Sequence, residues 1–214
     1  MSDLHSLIYS EEVLKFVRSS QNFANWLEEE ADIDSKSFII SGLRIMPELY
    51  SQMISIPPFD PVFNETSEKF VTEEDWAGVY QKVANSLGVL NDYDDIAQKT
   101  EYDRSELVCR KISEDISDIY QDIRDFLEIF RNSPEEIMND GLWECRSNFE
   151  SSWGGKVLRV SKAMHEIYIS DDTLTMQDEE INSKNESVKR FNTGDWIISK
   201  RQQEYREEDE AVPE

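Results

Sequence analysis

The sequence contains few of the residues on which most enzyme active sites depend. Its 214 residues include two histidines, two cysteines and seven glycines. His5 and His165 cannot form a multi-histidine metal site within one chain. The glycines form neither of the usual phosphate-binding motifs, and the G-x-S-x-G nucleophile motif is absent as well. Cys109 and Cys145 form no C-x-x-C pair and are expected to be reduced thiols in or near the core.

Basic residues are also scarce. Lys and Arg total 22 against 46 Asp and Glu, which gives a net charge of −24. A chain this acidic is not expected to bind the backbone of nucleic acids or the surface of anionic membranes. No apolar window approaches the length of a membrane span, and the N-terminus shows no secretory pattern. These absences favour a cytoplasmic protein.

What the sequence does contain is helical signals over residues 1–170. The clearest helix has a seam of large apolar residues at alternating four- and three-residue spacing, which is typical of helical bundles. The seam consists of Ile112, Ile116, Ile119, Ile123, Phe126 and Phe130. Thr72 and Asp75 have the spacing of a capping box, and Gly88 ends the helix that follows it. The sequence therefore predicts an all-α fold, a single bundle of about six helices.

The connections between helices are predicted from polar residues, proline and glycine. Residues 91–103 are polar and acidic and are predicted to form a loop, since no segment shows sustained β alternation. Ser133 and Pro134 predict a cap followed by a proline at the first helical position. Gly154 and Gly155 predict a break or a tight junction between two helices.

The C-terminal residues 171–214 differ in composition from the rest of the chain. Residues 171–192 are almost free of large apolar groups, which is typical of a linker. Trp196, Ile197 and Ile198 form one apolar cluster beyond it, within a stretch too polar to fold alone. We predict a helical domain over 1–170 and, over 171–214, an acidic linker with a short helix or tail that docks through this cluster.

Four aspartates form the most prominent candidate site. Asp115, Asp118, Asp122 and Asp125, here called the aspartate row, lie at i, i+3, i+7 and i+10, on one helix face beside the apolar seam. Like charges one turn apart repel each other by a few tenths of a kcal/mol per pair. Positively charged or hydrogen-bond-donating groups are therefore expected next to the row.

One source of positive charge is a divalent cation such as Mg²⁺, held by carboxylates from two facing helices. All-α nucleotide pyrophosphohydrolases use such an arrangement. A second acidic face at Glu136, Asp140 and Glu144 could complete it. The row lacks the paired E-x-x-E and E-x-x-D motifs of those enzymes, which counts against this alternative.

The other sources of positive charge are proteins. Lys156, Arg159 and Lys162 form a basic stripe on the last helix of the bundle, and Arg146 lies on the helix before it. Ion pairs between helices would neutralise the row without any further function. A basic patch on a partner protein would do the same, and a fully solvated row is the remaining interpretation.

A second candidate site is a ligand pocket. Tyr120 and Gln121 lie within the row, Trp153 precedes the glycine pair, and His165 lies on the last helix. Aromatic residues at helical spacing belong to the core more often than to a pocket, and His165 has no nucleophile at a recognisable spacing. A structural role is therefore favoured over a ligand pocket for these four residues.

Several segments together resemble the bacterial family known as domain of unknown function 5063. They are Tyr9–Val13, Pro47–Tyr50, Lys69–Trp76, Asp115–Leu127 with its D-I-Y-Q-D motif, and Phe149–Gly154. The resemblance covers about residues 7–169. It implies a small, soluble, helical cytoplasmic protein without an assigned activity, and it provides no catalytic residues.

The sequence favours a non-enzymatic protein–protein interaction or regulatory module, with no cofactor and with a protein partner or a second copy of itself. One alternative is a Mg²⁺-dependent hydrolase of nucleotides or phosphate esters that uses Asp115–Asp125. The other is an acidic mimic of nucleic acid that binds a basic protein, in which case binding would weaken steeply with salt.

Overall fold

The computed structural model describes residues 2–28, 34–63, 67–97 and 106–170. Within these ranges the chain is predominantly helical, with six longer helices, one short helix and a small two-stranded sheet. The all-α class and the bundle of about six helices are confirmed. The predicted C-terminal segment, with Trp196, Ile197 and Ile198, lies outside the described residues.

The elements follow one another in a simple order. They are α1 (Ser2–Ile8), α2 (Glu11–Glu28), α3 (Ser35–Ser55), α4 (Glu73–Leu87), β1 (Asp92–Ala97), β2 (Glu106–Lys111), α5 (Ile112–Asn132), α6 (Glu135–Asn148) and α7 (Gly154–Ser170). None of these helices combines the length and the hydropathy that crossing a bilayer requires. We call residues 56–63 and 67–72, which connect α3 to α4, the strap.

Local capping determines where several helices begin and end. The Asp34 side chain accepts the Ser37 amide at the start of α3. Thr72 and Asp75 form the predicted capping box at the start of α4, and Gly88 ends α4 with a positive φ of 55°. Such a φ is easily adopted only by glycine. These three ends follow from short-range side-chain chemistry.

Helix α5 lies at the centre of the core. All six residues of its apolar seam are buried, and α5 packs against α2, α4, α6 and α7. Burying each large apolar side chain stabilises the fold by about 1.5–3 kcal/mol. The seam therefore fixes the rotation of α5, and with it the side on which the aspartate row lies.

The hairpin of β1 and β2 corrects the prediction that residues 91–103 form a loop. Asp92–Ala97 pairs antiparallel with Glu106–Lys111, so that Asp94 lies opposite Cys109 and Ile96 opposite Leu107. Ion pairs join the strands, from Lys111 Nζ to Asp92 Oδ1 and from Arg110 Nε to Asp95 Oδ2, both at 2.8 Å. Because polar residues take part in these cross-strand pairs, the two strands show no regular alternation of apolar and polar residues. The sequence therefore gives no signal of a hairpin.

The junction between α6 and α7 also differs from the prediction. Phe149–Trp153 forms a π-helical turn that leads directly into α7, so no break occurs at Gly154 and Gly155. The junction is nevertheless tight, because a Cβ on Gly154 would lie 2.6 Å from the Phe149 carbonyl oxygen. At the other end of α6, Pro134 is the N-cap and not the first helical residue.

Two smaller corrections concern the N-terminus and the cysteines. The short helix α1 is not predicted by the sequence patterns, and its His5 Nδ1 lies 2.9 Å from Glu135 Oε1 on α6. Cys145 is buried as expected, and burial raises the pKa of its thiol. Cys109 is exposed on β2, so its predicted place in or near the core is wrong.

Candidate functional site

The structure places the aspartate row along one side of α5, facing the hairpin, α7, α6 and the strap in turn. Asp115 and Asp125, at its two ends, are buried, and Asp118 and Asp122 between them are partly exposed. Each of the four carboxylates accepts a hydrogen bond from the protein itself. The donors differ along the row.

The N-terminal half of the row is neutralised mainly by cations of α7. Asp115 Oδ1 accepts a hydrogen bond from Arg159 Nη2 at 3.2 Å, and its Oδ2 accepts one from the Tyr93 hydroxyl of β1. Asp118 binds Lys156 Nζ through Oδ2 and Trp76 Nε1, at 2.9 Å, through Oδ1. This half of the row therefore joins α5 to α7, α4 and the hairpin.

The C-terminal half of the row binds amides. Asp125 Oδ1 accepts the backbone N–H groups of Phe70 and Val71, at 2.7 and 2.9 Å. Asp122 Oδ1 accepts a hydrogen bond from Asn148 Nδ2 of α6 at 2.7 Å. The only cation that the structure places near Asp125 within the described ranges is Lys69, whose Nζ lies 3.8 Å from Oδ2.

The second acidic face, on α6, also holds the strap. Asp140 accepts the backbone amides of Val62 and Phe63, and Glu144 accepts the Ser67 amide at 2.8 Å. Glu144 also binds Lys69 Nζ at 2.8 Å. Glu136, the third predicted member of this face, is exposed. The carboxylates of α5 and α6 thus fix the path of the strap over the bundle.

Burial and hydrogen bonding move the pKa values of two of these carboxylates in opposite directions. Burial raises the pKa of Asp122, and the hydrogen bond from Asn148 only partly offsets this. Burial also acts to raise the pKa of Glu144, but the hydrogen bonds from Lys69 and Ser67 outweigh it and keep this pKa below its usual value. Asp122 therefore has the more strongly desolvated charge.

The predicted basic stripe is only partly involved. Lys156 and Arg159 do pair with the aspartate row, as the counter-charge interpretation requires. Lys162 instead pairs with Glu166 on its own helix. Arg146 pairs with Glu150 and donates to the strap carbonyls of Ile56 and Pro57.

A metal site would need several ligands that converge on one point. Within the described part of the chain, no group of three or more His, Cys, Asp or Glu side chains is arranged so that it could hold a metal ion. The carboxylates of the row are instead directed at separate protein donors. This arrangement suits the joining of helices, hairpin and strap.

The four predicted pocket residues lie in different surroundings. Tyr120 is buried and donates a hydrogen bond to Glu28 Oε1 at 2.9 Å, at the edge of a cleft of about 400 Å³ that is otherwise lined by Glu28, Phe70, Val71, Asp75, Arg124 and Glu128. Trp153 is enclosed in the core and donates to the Cys145 carbonyl. Gln121 is partly exposed and His165 is exposed on α7. The structure does not gather the four residues around one cleft.

Sequence patterns missed several groups that contact the row. Tyr93 lies in the segment predicted to form a loop, and neither Lys69 nor Asn148 carries a sequence signal that points to the row. Nothing in the sequence indicates that the indole N–H of Trp76 reaches Asp118. The Lys69–Trp76 segment, one of those that carry the family resemblance, contains four groups that contact the row: the Lys69 ammonium, the backbone amides of Phe70 and Val71, and the Trp76 indole N–H.

The fold and the site together define a small helical-bundle protein with an attached hairpin, in which most of the conspicuous carboxylates are bound to the protein's own donors. The profile of the family described as a domain of unknown function (DUF5063) matches residues 7–170. The chain belongs to that family.

A solved structure supports the same fold. Protein BF1032 from Bacteroides fragilis, known from a crystal structure of a structural genomics target, is 32% identical to this chain, with a TM-score of 0.66. The match covers 75% of this chain and 94% of that one. No curated protein matches the chain.

Proposed function

We propose that the protein is a non-enzymatic protein-binding module whose binding surface is the outer face of the hairpin. One observation carries the proposal. The hairpin is attached to the bundle through polar side chains, and on its opposite face the apolar cross-strand pair Ile96 and Leu107 is exposed to solvent. An antiparallel sheet with one covered face usually buries its apolar side chains instead.

The inner face of the hairpin is attached by polar contacts. Tyr93 donates to Asp115 of α5, and Arg159 Nε of α7 lies 3.6 Å from Asp95 Oδ2. Arg110 binds the same Asp95 carboxylate from β2. Side chains that point the other way from each strand are free of this network.

The outer face has an exposed apolar pair at one end and charged residues beside it. Ile96 and Leu107 lie directly opposite each other and are 65% and 68% exposed. Asp94 and Cys109 form the next cross-strand pair on this face, followed by Asp92 and Lys111. An exposed apolar pair with a polar rim is typical of protein-binding surfaces. The aspartate row is already occupied by intramolecular bonds, so it offers less to a partner.

The proposal is tested by capture from a lysate of the native host with tagged full-length protein. Wild type is expected to retain a stoichiometric partner, and Ile96→Ser and Leu107→Ser to lose it. Leu158→Ser on α7 and Phe63→Ser on the strap replace side chains of similar exposure elsewhere, 53% and 54%, and are expected to retain it.

Circular dichroism confirms that each variant is folded. If wild type retains no stoichiometric partner, or if the hairpin variants capture as much as the controls do, the proposal is wrong. Loss of capture in Phe63→Ser alone would place the binding surface on the strap instead.

A further inference from the structure

We infer that the outer edge of β1 binds an extended, basic segment of the partner protein, which pairs with β1 as a third strand. This inference rests on the proposed function and names the kind of partner that the hairpin fits. It is carried by the position of β1 in the sheet, by the charges on β1 and by the attachment of the hairpin.

The position of β1 leaves a row of its backbone groups without a strand partner in the described part of the chain, although the Ile96 N–H already donates to Asp95 Oδ1 at 2.9 Å. In the described ranges the sheet consists of β1 and β2 alone, so no third strand lies beside β1 there. In an antiparallel pair, alternate residues direct their N–H and C=O groups away from the partner strand. Such an edge is a template for another extended chain.

The charges on β1 select the occupant. The strand carries Asp92, Asp94 and Asp95 and no Lys or Arg. Lys111 pairs with Asp92, and Arg110 and Arg159 pair with Asp95, so among the described residues Asp94 is the β1 aspartate without an ion pair. Pairing of β1 with β1 of a second copy would bring these aspartates together, and like charges on neighbouring strands destabilise a sheet. Two chains that each carry a charge of −24 also repel each other at long range. A basic strand would instead be attracted by the aspartates of β1 and by the negative net charge of the whole chain.

The register of the hairpin indicates the sequence that fits. Asp92, Asp94 and Ile96 alternate on the outer face, with Leu107 beside Ile96 on β2. An antiparallel third strand would place an apolar residue next to Ile96 and Lys or Arg next to Asp94 and Asp92. Read from its N-terminus, the matching segment is apolar-x-basic-x-basic.

The attachment of the hairpin prepares this edge for binding. Tyr93 and Asp95 of β1 are held by Asp115, Arg110 and Arg159, so the strand is already in position. Binding to an ordered edge requires less loss of conformational entropy than binding to a mobile segment. Asp94 points away from this network, which makes its charge suitable for a test.

The experiment measures hydrogen exchange of the full-length protein with a short synthetic peptide of the pattern Leu-Thr-Lys-Thr-Lys. The control peptide has glutamate in place of lysine. The lysine peptide is expected to slow exchange of the outward-facing β1 amides by about tenfold or more at saturation. Its affinity is expected to fall as salt is added, and the glutamate peptide is expected not to bind.

Variants at exposed acids test the role of charge. Asp94→Lys is expected to weaken peptide binding by about tenfold, and Asp94→Asn by a smaller factor. Glu48→Lys, at an exposed position on α3, makes the same charge change elsewhere and is expected to leave the affinity unchanged. Equal binding of both peptides, or no effect of Asp94→Lys in a folded protein, would overturn the inference.

Other occupants of the edge give different results. Protection of the β1 amides that grows with protein concentration would identify a second copy and overturn the inference. Protection that is present without peptide and independent of concentration would show that the same chain already covers the edge, and this would also overturn the inference.

If Ile96→Ser abolishes capture but the lysine peptide leaves β1 exchange unchanged, the inferred strand addition is wrong and the proposed binding module stands. If the peptide adds to β1 but capture does not depend on Ile96, the proposed function is wrong.

Discussion

The two halves of the aspartate row meet the same electrostatic requirement with different donors. Asp115 and Asp118 are neutralised by Arg159 and Lys156 of α7, together with the side-chain donors Tyr93 and Trp76. Asp122 and Asp125 bind mainly amides, those of the Asn148 side chain and of the strap backbone. The first half is a set of ion pairs between elements, and the second is a set of hydrogen-bond anchors.

This difference shows that a row of like charges on a helix is not by itself a sign of a ligand. Positive charge on a neighbouring helix satisfies one half of the row. In the other half, the Asn148 side-chain amide binds Asp122, and backbone N–H groups, which every loop possesses, bind Asp125. A carboxylate that accepts two backbone amides is stabilised by charge-assisted hydrogen bonds without any cation in contact.

The largest effects are expected when Asp115 and Asp125 are each replaced by alanine and by asparagine. The comparison of the two replacements distinguishes the two halves of the row. Asp115 binds two donors through two different oxygens, whereas Asp125 binds two amides through the single oxygen Oδ1. Alanine at either position is expected to lower the free energy of unfolding by about 3 kcal/mol, because buried donors lose their acceptor.

Asparagine is expected to discriminate between the two positions. Its one carbonyl oxygen can still accept both strap amides, so Asp125→Asn is expected to lower stability by only about 1 kcal/mol. Asp115→Asn removes the nearer of the two carboxylates that pair with Arg159 and leaves only Asp95, at 3.6 Å, among its described ion pairs, so it is expected to lower stability by about 2 kcal/mol. Urea unfolding monitored by circular dichroism measures both. Equal losses for the two asparagine variants would contradict the division of the row.

The next largest effect is expected at the junction between α6 and α7, which positions hydrogen-bond donors for both halves of the row. Asn148, the partner of Asp122, precedes the π-helical turn, and Lys156, the partner of Asp118, follows it. Gly154→Ala would place a Cβ 2.6 Å from the Phe149 carbonyl oxygen and is expected to lower stability by about 2 kcal/mol. Gly155→Ala is the matched control, because its Cβ would meet only Arg159 Nη1, at 3.4 Å, and no loss is expected. A thermal melt that ranks the two variants equally would show that the close approach at Gly154 is not required.

Sequence patterns predicted the fold well where structure depends on nearby residues. The seam of α5 from Ile112 to Phe130, the capping box of Thr72 and the end of α4 at Gly88 all follow from spacings of a few residues. The hairpin did not follow, because its strands are joined by ion pairs such as Asp92 with Lys111 and attached through Tyr93. Such long-range polar contacts leave no periodic pattern.

The site was predictable to the extent that its partners are charged side chains. The basic stripe on one helix made ion pairs one of several interpretations of the row, and Lys156 and Arg159 of that stripe do pair with it. The amides of Phe70 and Val71 were not predicted, since a backbone N–H is the same in every non-proline residue and sequence does not show where it points.

A smaller effect is expected from Lys69, the cation that lies near the amide-binding half of the row. Lys69 binds Glu144 and lies near Asp125, and its hydrogen bond is a principal cause of the lowered pKa of Glu144. Lys69→Met is expected to lower stability by about 1 kcal/mol at neutral pH. A carboxyl with a lowered pKa stabilises the fold above its unfolded pKa and loses this contribution as the pH falls through its folded pKa.

The difference between wild type and Lys69→Met is therefore expected to shrink as the pH falls below about 4, near the ordinary pKa of glutamate. Lys162→Met removes an exposed lysine that pairs with Glu166 on its own helix, and is expected to change stability little at any pH. Urea unfolding at a series of pH values measures both variants. A loss in Lys69→Met that persists unchanged at low pH would rule out the charge of Glu144 as its cause.

The smallest expected effect is also one of opposite sign. Burial raises the pKa of Asp122, so its charge opposes folding at neutral pH, and the contribution of this carboxyl to stability decreases as the pH rises through its folded pKa. Asp122→Asn keeps an oxygen for Asn148 and removes the charge, so we expect it to raise stability at pH 7, by less than about 1 kcal/mol.

Asp118→Asn, one turn away, removes the charge that pairs with Lys156 and is expected to lower stability. The gain in Asp122→Asn should vanish at a pH low enough to protonate Asp122 in the wild type, because both side chains are then neutral. If both variants lose stability at pH 7, the desolvation of Asp122 is smaller than its attraction to Lys69 and Lys156, and the boundary between the two halves lies between Asp122 and Asp125.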